Sequence, residues 1–273
     1  MTFNWLHMKC RIIIFDQRKN QAMLKKRYIR IFYGMLLVVL LAGCSRTQSG
    51  PALSLAQKIT WLRSGHPYGH TCIRLKVDGQ MIYLDPVDLI GVEDLPKADI
   101  ILITHTHVDH FSPATIAALS KAATIVLCGD SAVIGQLPGI AQVLVMEPGQ
   151  QAKIGTLPLE ILPAYGSVAH PAGLQGLGYL LSAKGVRLYF SGDTGLTPEI
   201  LSLKAVDIAV LNVRKPYCLS GEEVVEFVKA VRPEIVIPIH WMPGNDTWGD
   251  EEQIETIRQQ IPGSTRFMVL ELK

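Results

Sequence analysis

The stretch DIILITHTHVDH, residues 99–110, joins four consecutive aliphatic residues, Ile100 to Ile103, to three histidines and an aspartate packed into six positions. An uninterrupted aliphatic run of this length predicts a strand. The polar residues begin where that strand ends, so the imidazoles of His105 and His107 can converge on one ion at the turn. Asp109 and His110 can then approach a second ion from the following loop. Imidazole nitrogen mixed with carboxylate oxygen suits zinc first, and manganese or iron tolerates the same mixture. A solvated loop would account for one or two such residues, not for four.

Outward from this segment the chain alternates between hairpins and strand–helix units. Upstream, Ile59 to Arg63, Thr71 to Val77 and Met81 to Leu84 read as strands, the last two joined by an Asp78-Gly79 turn. Downstream, strands are expected at 124–127, 142–145, 177–181, 186–190, 208–211, 235–239 and 267–270, with helices at 113–120, 129–136, 198–203, 221–231 and 249–260. Ser112-Pro113 is a cap followed by a first-turn proline, and Ser220 with Glu223 is a capping-box pair. Hairpins followed by strand–helix units, twice over, predict an α+β body of two mixed sheets with helices on their outer faces. No glycine-rich dinucleotide loop follows an early strand, and the meander near residues 176–190 does not suit a regular eightfold barrel.

The motif HxHxDH at His105, His107, Asp109 and His110 resembles the signature of the metallo-β-lactamase fold hydrolases. That resemblance implies a four-layer αββα sandwich and two divalent metal ions. It also implies three further ligands, matched here by His170 in GSVAHPAG, Asp193 in LYFSGDTG and His240 in IVIPIHW. His105, His107 and His170 would hold the first ion, His110 and His240 the second, and Asp193 would bridge them. Asp109 would bind its ion and orient the attacking water as a catalytic residue. The opening GHTCIRLKVDGQMIYLDP and the ending RPEIVIPIHW are similar to the branch of L-ascorbate-6-phosphate lactonase and N-acyl-phosphatidylethanolamine phospholipase D. On that likeness His70 is a second catalytic candidate, with His66 near substrate or behind a ligand, and Tyr217, Trp241 and Trp248 are candidates for the mouth. Asn212-Val213-Arg214 departs from the turn that many relatives carry after the same strand.

Charge is unevenly distributed. Residues 1–43 hold eight basic residues against Asp16 alone, leaving eighteen basic and twenty-three acidic residues from Cys44 onward. A mildly acidic body argues against nucleic acid as a partner. In the leader, KKRYIRIFYGMLLVVLLAGC (residues 25–44) places a basic flank before an apolar run that is shorter than the ~20 residues of a spanning helix. Leu41-Ala42-Gly43-Cys44 resembles a bacterial lipoprotein processing box, which implies a signal peptide over 1–43, with the true start at Met23. It also implies an acylated Cys44 and attachment to the outer membrane facing the periplasm. A lipidated tether is expected over 44–56 and the hydrolase domain over 57–273. Cys72, Cys128 and Cys218 have neither zinc-knuckle nor redox-pair spacing and read as small buried hydrophobes.

Two divalent ions, less the charges of Asp109 and Asp193, leave a positive centre that favours an anionic substrate or a developing oxyanion. The expected activity is hydrolysis of a phosphodiester or a phospholipid-like, anionic small molecule at the cell envelope. A lactone is the alternative substrate. A non-catalytic envelope binding protein that retains the metals is the competing class, since a fold does not establish an activity. β-Lactam cleavage is disfavoured, because the classical enzymes carry cysteine where Asp193 stands.

Overall fold

The computed structural model describes residues 50–68, 70–244 and 250–273. The expected signal peptide, Cys44 and Trp248 lie outside the described residues. Among the described residues no helix is long and apolar enough to cross a membrane.

Two sheets form an α+β sandwich flanked by helices, and each is built the same way. The first runs β1 (Ile59–Trp61), β2 (Ile73–Val77), β3 (Gln80–Leu84), β4 (Ile100–Leu102), β5 (Ile125–Cys128) and β6 (Gln142–Val145) in spatial order. Strands β1 to β3 are antiparallel and β3 to β6 parallel. The second sheet contains β7 (Gln151–Ile154), β8 (Leu157–Pro163), β9 (Leu177–Ala183), β10 (Val186–Phe190), β11 (Ile208–Asn212), β12 (Ile235–Ile239) and β13 (Arg266–Phe267). There β7 to β10 are antiparallel and β10 to β13 parallel.

Turn chemistry sets the antiparallel halves. Asp78-Gly79 between β2 and β3 has φ of 50° and 81°, and Lys184-Gly185 between β9 and β10 has 54° and 77°. Two consecutive positive φ values are what a two-residue hairpin turn requires. In the parallel halves every connection but β3–β4, which has only a short 3₁₀ turn at Val92–Asp94, carries an α-helix: α2 (Pro113–Leu119) and α3 (Ala132–Gln136) on the first sheet, and α4 (Pro198–Leu201), α5 (Gly221–Val231) and α6 (Asp250–Gln260) on the second. The expected caps are present. Ser112 Oγ accepts from the Thr115 N–H, and Ser220 and Glu223 exchange both capping-box bonds.

Strand β4 shows how the aliphatic run is used. Ile100 and Leu102 join the large cluster that also takes Ile161, Leu181 and Leu188 from the second sheet, whereas Ile101 and Ile103 join Ile116 and Leu119 of α2. Both faces are therefore dry, and period-two alternation is replaced by a continuous run. Tyr179 ties the sheets together through its hydroxyl, which donates to the Ile103 carbonyl at 2.6 Å. Pro238 sits inside β12 without disrupting pairing. Its nitrogen faces the side of β13, which ends after pairing Val236 with Phe267, so no ladder bond is lost there.

Three differences from the sequence reading concern boundaries. The tether expected over 44–56 is already folded at its end: Pro51–Ala56 is a helix, α1, with Ala52, Leu55 and Ala56 buried in the large cluster. Strands β7 and β8 were not expected. The strand expected over 267–270 is reduced to Arg266–Phe267.

Candidate metal centre

The site lies where the parallel strands of both sheets end, the position at which open α/β sheets present their loops. His105 follows β4, Asp193 follows β10, Asn212 closes β11 and His240 follows β12. His240 has φ of 69°, a conformation that a non-glycine residue rarely adopts, and it ends the strand abruptly at the site. Its N–H donates to the His70 carbonyl at 3.1 Å.

Seven side chains meet here. His105 Nε2 and His107 Nδ1 are 3.0 Å apart, and His170 Nε2 is 3.1 Å from the first and 3.2 Å from the second. Ligand nitrogens at about 2.0–2.1 Å from a tetrahedral ion are separated by about 3.3 Å. Three ring nitrogens facing one point at this spacing cannot all be mutual hydrogen-bond partners, and they fit a metal ion. The second group contains His110, His240, Asp109 and Asp193. His110 Nε2 is 3.3 Å from His240 Nε2, and His240 Nε2 is 3.8 Å from Asp109 Oδ2. Asp193 Oδ2 lies 3.2 Å from His110 Nε2, 3.4 Å from His240 Nε2 and 3.5 Å from His170 Nε2. One carboxylate oxygen is thus shared between the two groups. Cys218 completes a further set with Asp193 and His240.

The opposite ring nitrogens of His110, His105 and His170 are held from behind, which fixes those rings, whereas His240 Nδ1 is buried without a hydrogen-bond partner among the described residues. His110 Nδ1 is 2.8 Å from Asp85 Oδ2, and His105 Nδ1 is 3.0 Å from Thr104 Oγ1. His170 Nδ1 lies 2.7 Å from Ser167 Oγ and 3.0 Å from the Tyr217 carbonyl. Asp85 also accepts from the N–H and hydroxyl of Thr104, both at 2.7 Å. Asp193 Oδ1 accepts from Asn212 Nδ2 at 2.6 Å.

Burial and charge act in opposite directions across the cluster. Burial, reinforced by His110, holds His105 well below the ordinary imidazole value, and burial lowers His170 too. Burial also opposes protonation of His110, but the carboxylates of Asp193 and Asp85 override it and raise His110 well above that value. Asp193 is likewise disfavoured as an anion by burial, yet His110 and His240 pull it well below the usual carboxylate range.

A cavity of about 270 Å³ opens onto the centre, lined by His107, Asp109, His170, Asp193 and His240 together with Tyr68, Arg214 and Tyr217. His105 and His110 are buried. His70 is not among the lining residues. It is buried beside Trp61, its ring edge-on at 6.5 Å, and its carbonyl also accepts from Trp61 Nε1 at 2.7 Å. His66 Nδ1 accepts from the Tyr68 N–H at 3.3 Å, and Trp241 packs on Trp61 at 5.8 Å rather than at the mouth. Sequence reasoning missed Thr104, Asp85, Asn212, Arg214 and the place of Cys218. The available hints were an Asp-Pro pair at a strand end, for Asp85, and the unusual turn Asn212-Val213-Arg214.

The chain belongs to the beta-lactamase superfamily: the pattern of the beta-lactamase superfamily domain matches residues 58–240, about two thirds of its length. It is 26% identical to a UPF0173 metal-dependent hydrolase of Methanopyrus kandleri over 231 residues, covering 78% of this chain and 96% of that protein. A UPF0173 protein of Pyrococcus abyssi is 29% identical over 185 residues, covering 67% and 83%. Among solved structures, a Parabacteroides distasonis protein assigned to the metal-dependent hydrolases superposes with a TM-score of 0.65 at 28% identity, covering 76% of this chain and 91% of that one. Igni18, a metallo hydrolase of Ignicoccus hospitalis, shares the fold with a TM-score of 0.62 at 24% identity, covering 78% and 94%. The chain therefore has a metallo-hydrolase fold with clustered histidine, aspartate and cysteine side chains suited to catalysis.

Proposed function

We propose that the protein is a dinuclear metal-dependent hydrolase that cleaves a phosphodiester or phospholipid-like substrate at the cell envelope. The observation that carries this reading is the single oxygen, Asp193 Oδ2, within 3.5 Å of histidines from both groups. His105, His107 and His170 would hold one ion and His110, His240 and Asp109 the other, with Asp193 placed between the two groups. Zinc is the first choice for a set this rich in imidazole, with manganese or iron as alternatives. When bound, such a pair polarises the scissile group and brings the pKa of water towards about 7.

The remaining work belongs to the chain. Asp109, with its side chain 20% exposed at the cavity, accepts a proton from the attacking water and aligns it. Asn212 holds Asp193 so that only Oδ2 faces the ligand histidines, and Asp85 does the same for His110. His70 acts through its carbonyl on the backbone of His240. Likeness to the lactonase and phospholipase D branch supports an anionic ester or phosphodiester as substrate. The leader supports a lipid anchor at Cys44 and an outer-membrane position facing the periplasm.

The test is turnover of bis(4-nitrophenyl) phosphate, a diacyl phospholipid and a lactone panel by the metal-loaded chain and by Asp193→Asn. Phosphodiester or phospholipid cleavage that is lost in Asp193→Asn is expected. Cleavage of lactones alone would favour a lactonase. No turnover with two ions bound would leave a binding protein.

A further inference from the structure

We propose that Arg214 forms an anion subsite in the cavity wall that takes a carboxylate or phosphate group carried by the substrate, separate from the group that is cleaved. This inference rests on the cavity being the substrate cavity of the hydrolase described above. Arg214 is 4% exposed and lines that cavity without being a metal ligand. Its loop is rigid: the Arg214 N–H donates to the Leu219 carbonyl, and the N–H groups of Tyr217 and Cys218 both donate to the Arg214 carbonyl at 2.8 Å. The guanidinium is always charged and offers five N–H donors in a fixed fork.

Burying such a group costs several kcal/mol unless its charge and donors are well matched. Here they are not. Nη2 reaches Asp250 Oδ2 at 3.4 Å and Nη1 the Tyr68 carbonyl at 3.3 Å, both well beyond the 2.7–2.9 Å of a charge-assisted bond. Asp250 Oδ2 already accepts from the Met242 N–H at 2.9 Å. Nε is buried with no hydrogen-bond partner among the described residues. A guanidinium paired at long range with one buried carboxylate, and with its Nε donor unfilled, is therefore held in the wall of the cavity that contains Asp109, Asp193 and the ligand histidines. A second anionic group on the substrate would supply the missing acceptor and would distinguish that substrate from a neutral ester of the same shape.

Binding, not turnover, tests this. The metal-loaded full chain is titrated calorimetrically with butyrate, succinate, glutarate and adipate, and with 3-phosphonopropanoate to separate phosphate from carboxylate preference. At least one of the doubly anionic probes should bind about tenfold tighter than butyrate, the gain of one charged pair. Arg214→Lys, which keeps the charge facing Asp250, should reduce that advantage at least threefold. Arg214→Gln combined with Asp250→Asn should remove it while metal content stays unchanged. No advantage in the parent chain, or an advantage undiminished in either variant, overturns the subsite. An advantage with no hydrolysis of any substrate would sink the hydrolase reading alone, and hydrolysis without the advantage would sink the subsite alone.

Discussion

Asn212 Nδ2 donates to Asp193 Oδ1 at 2.6 Å, and this bond decides which oxygen of the aspartate faces the histidines. Sheet register brings the two together: β10 and β11 are parallel with Phe190 beside Val210, so Asn212, the last residue of β11, lies level with the residues that follow β10. The Asn212 N–H is itself fixed on Ser191 Oγ at 2.9 Å. Replacing Asn212 with Leu frees the carboxylate to rotate. Metal affinity and turnover should fall about 10- to 100-fold, the usual effect of removing such a partner, with an unchanged circular dichroism spectrum. Metal titration of the two proteins checks it.

Asp85 controls the tautomer of His110. As a carboxylate it accepts the Nδ1 proton, so that Nε2, which faces Asp193 and His240, is the nitrogen left to give up its proton to an ion. In Asp85→Asn the side-chain oxygen can still accept from the Thr104 N–H, but the amide then presents N–H to Nδ1 and drives the proton to Nε2. That variant should fold and bind close to one ion per chain. Asp85→Ala also leaves the Thr104 N–H buried without an acceptor and should cost a further ~1–3 kcal/mol in chemical denaturation.

The sequence exposed the metal-facing side of this site and concealed its support. His105, His107, Asp109 and His110 were legible because a strand end compresses them into one spacing pattern. Asp85 stands twenty positions before His105 and reaches His110 only through the β3–β4 pairing, so no local pattern records it. Asn212 depends likewise on the parallel register of β10 and β11. In the fold, β7 and β8 carry little local signal because Pro158 and Pro163 interrupt the apolar run, yet β8 accommodates Pro163 at its end and Pro158 beside Lys153. Helix α1 is only six residues long, has just the first-turn Pro51 as a local signal, and leans on burial of Leu55 and Ala56.

Asp99 anchors the start of the strand that carries the histidine motif. Its carboxylate accepts from the Met81 N–H at 2.7 Å and pairs with Lys121 at 2.5 Å. Burial pushes the carboxyl up, but the bonds from Lys121 and Met81 outweigh it and hold Asp99 below its ordinary value. A depressed carboxyl contributes stability above its unfolded pKa of about 3.9 and loses it as pH falls through the folded value. Asp99→Asn should therefore be less stable than the parent at pH 7 by at most about 1 kcal/mol, the pair being partly exposed and screened. The gap should close below about pH 4, as followed by urea denaturation across that range.

For the anchor, Cys44→Ala should abolish lipid labelling and signal cleavage, whereas Cys72→Ala should change neither. Intact mass of the detergent-extracted chain reads this directly. A mature chain beginning anywhere other than at an acylated Cys44 would remove the envelope attachment from the proposal and leave the metal site untouched.

The shared oxygen of Asp193 is meaningful only if two ions occupy the site together. Elemental analysis after saturation with zinc or manganese and removal of excess metal should give two ions per chain in the parent protein and about one in Asp193→Asn, with the fold retained. One ion or fewer in the parent protein under both metals would contradict the dinuclear centre.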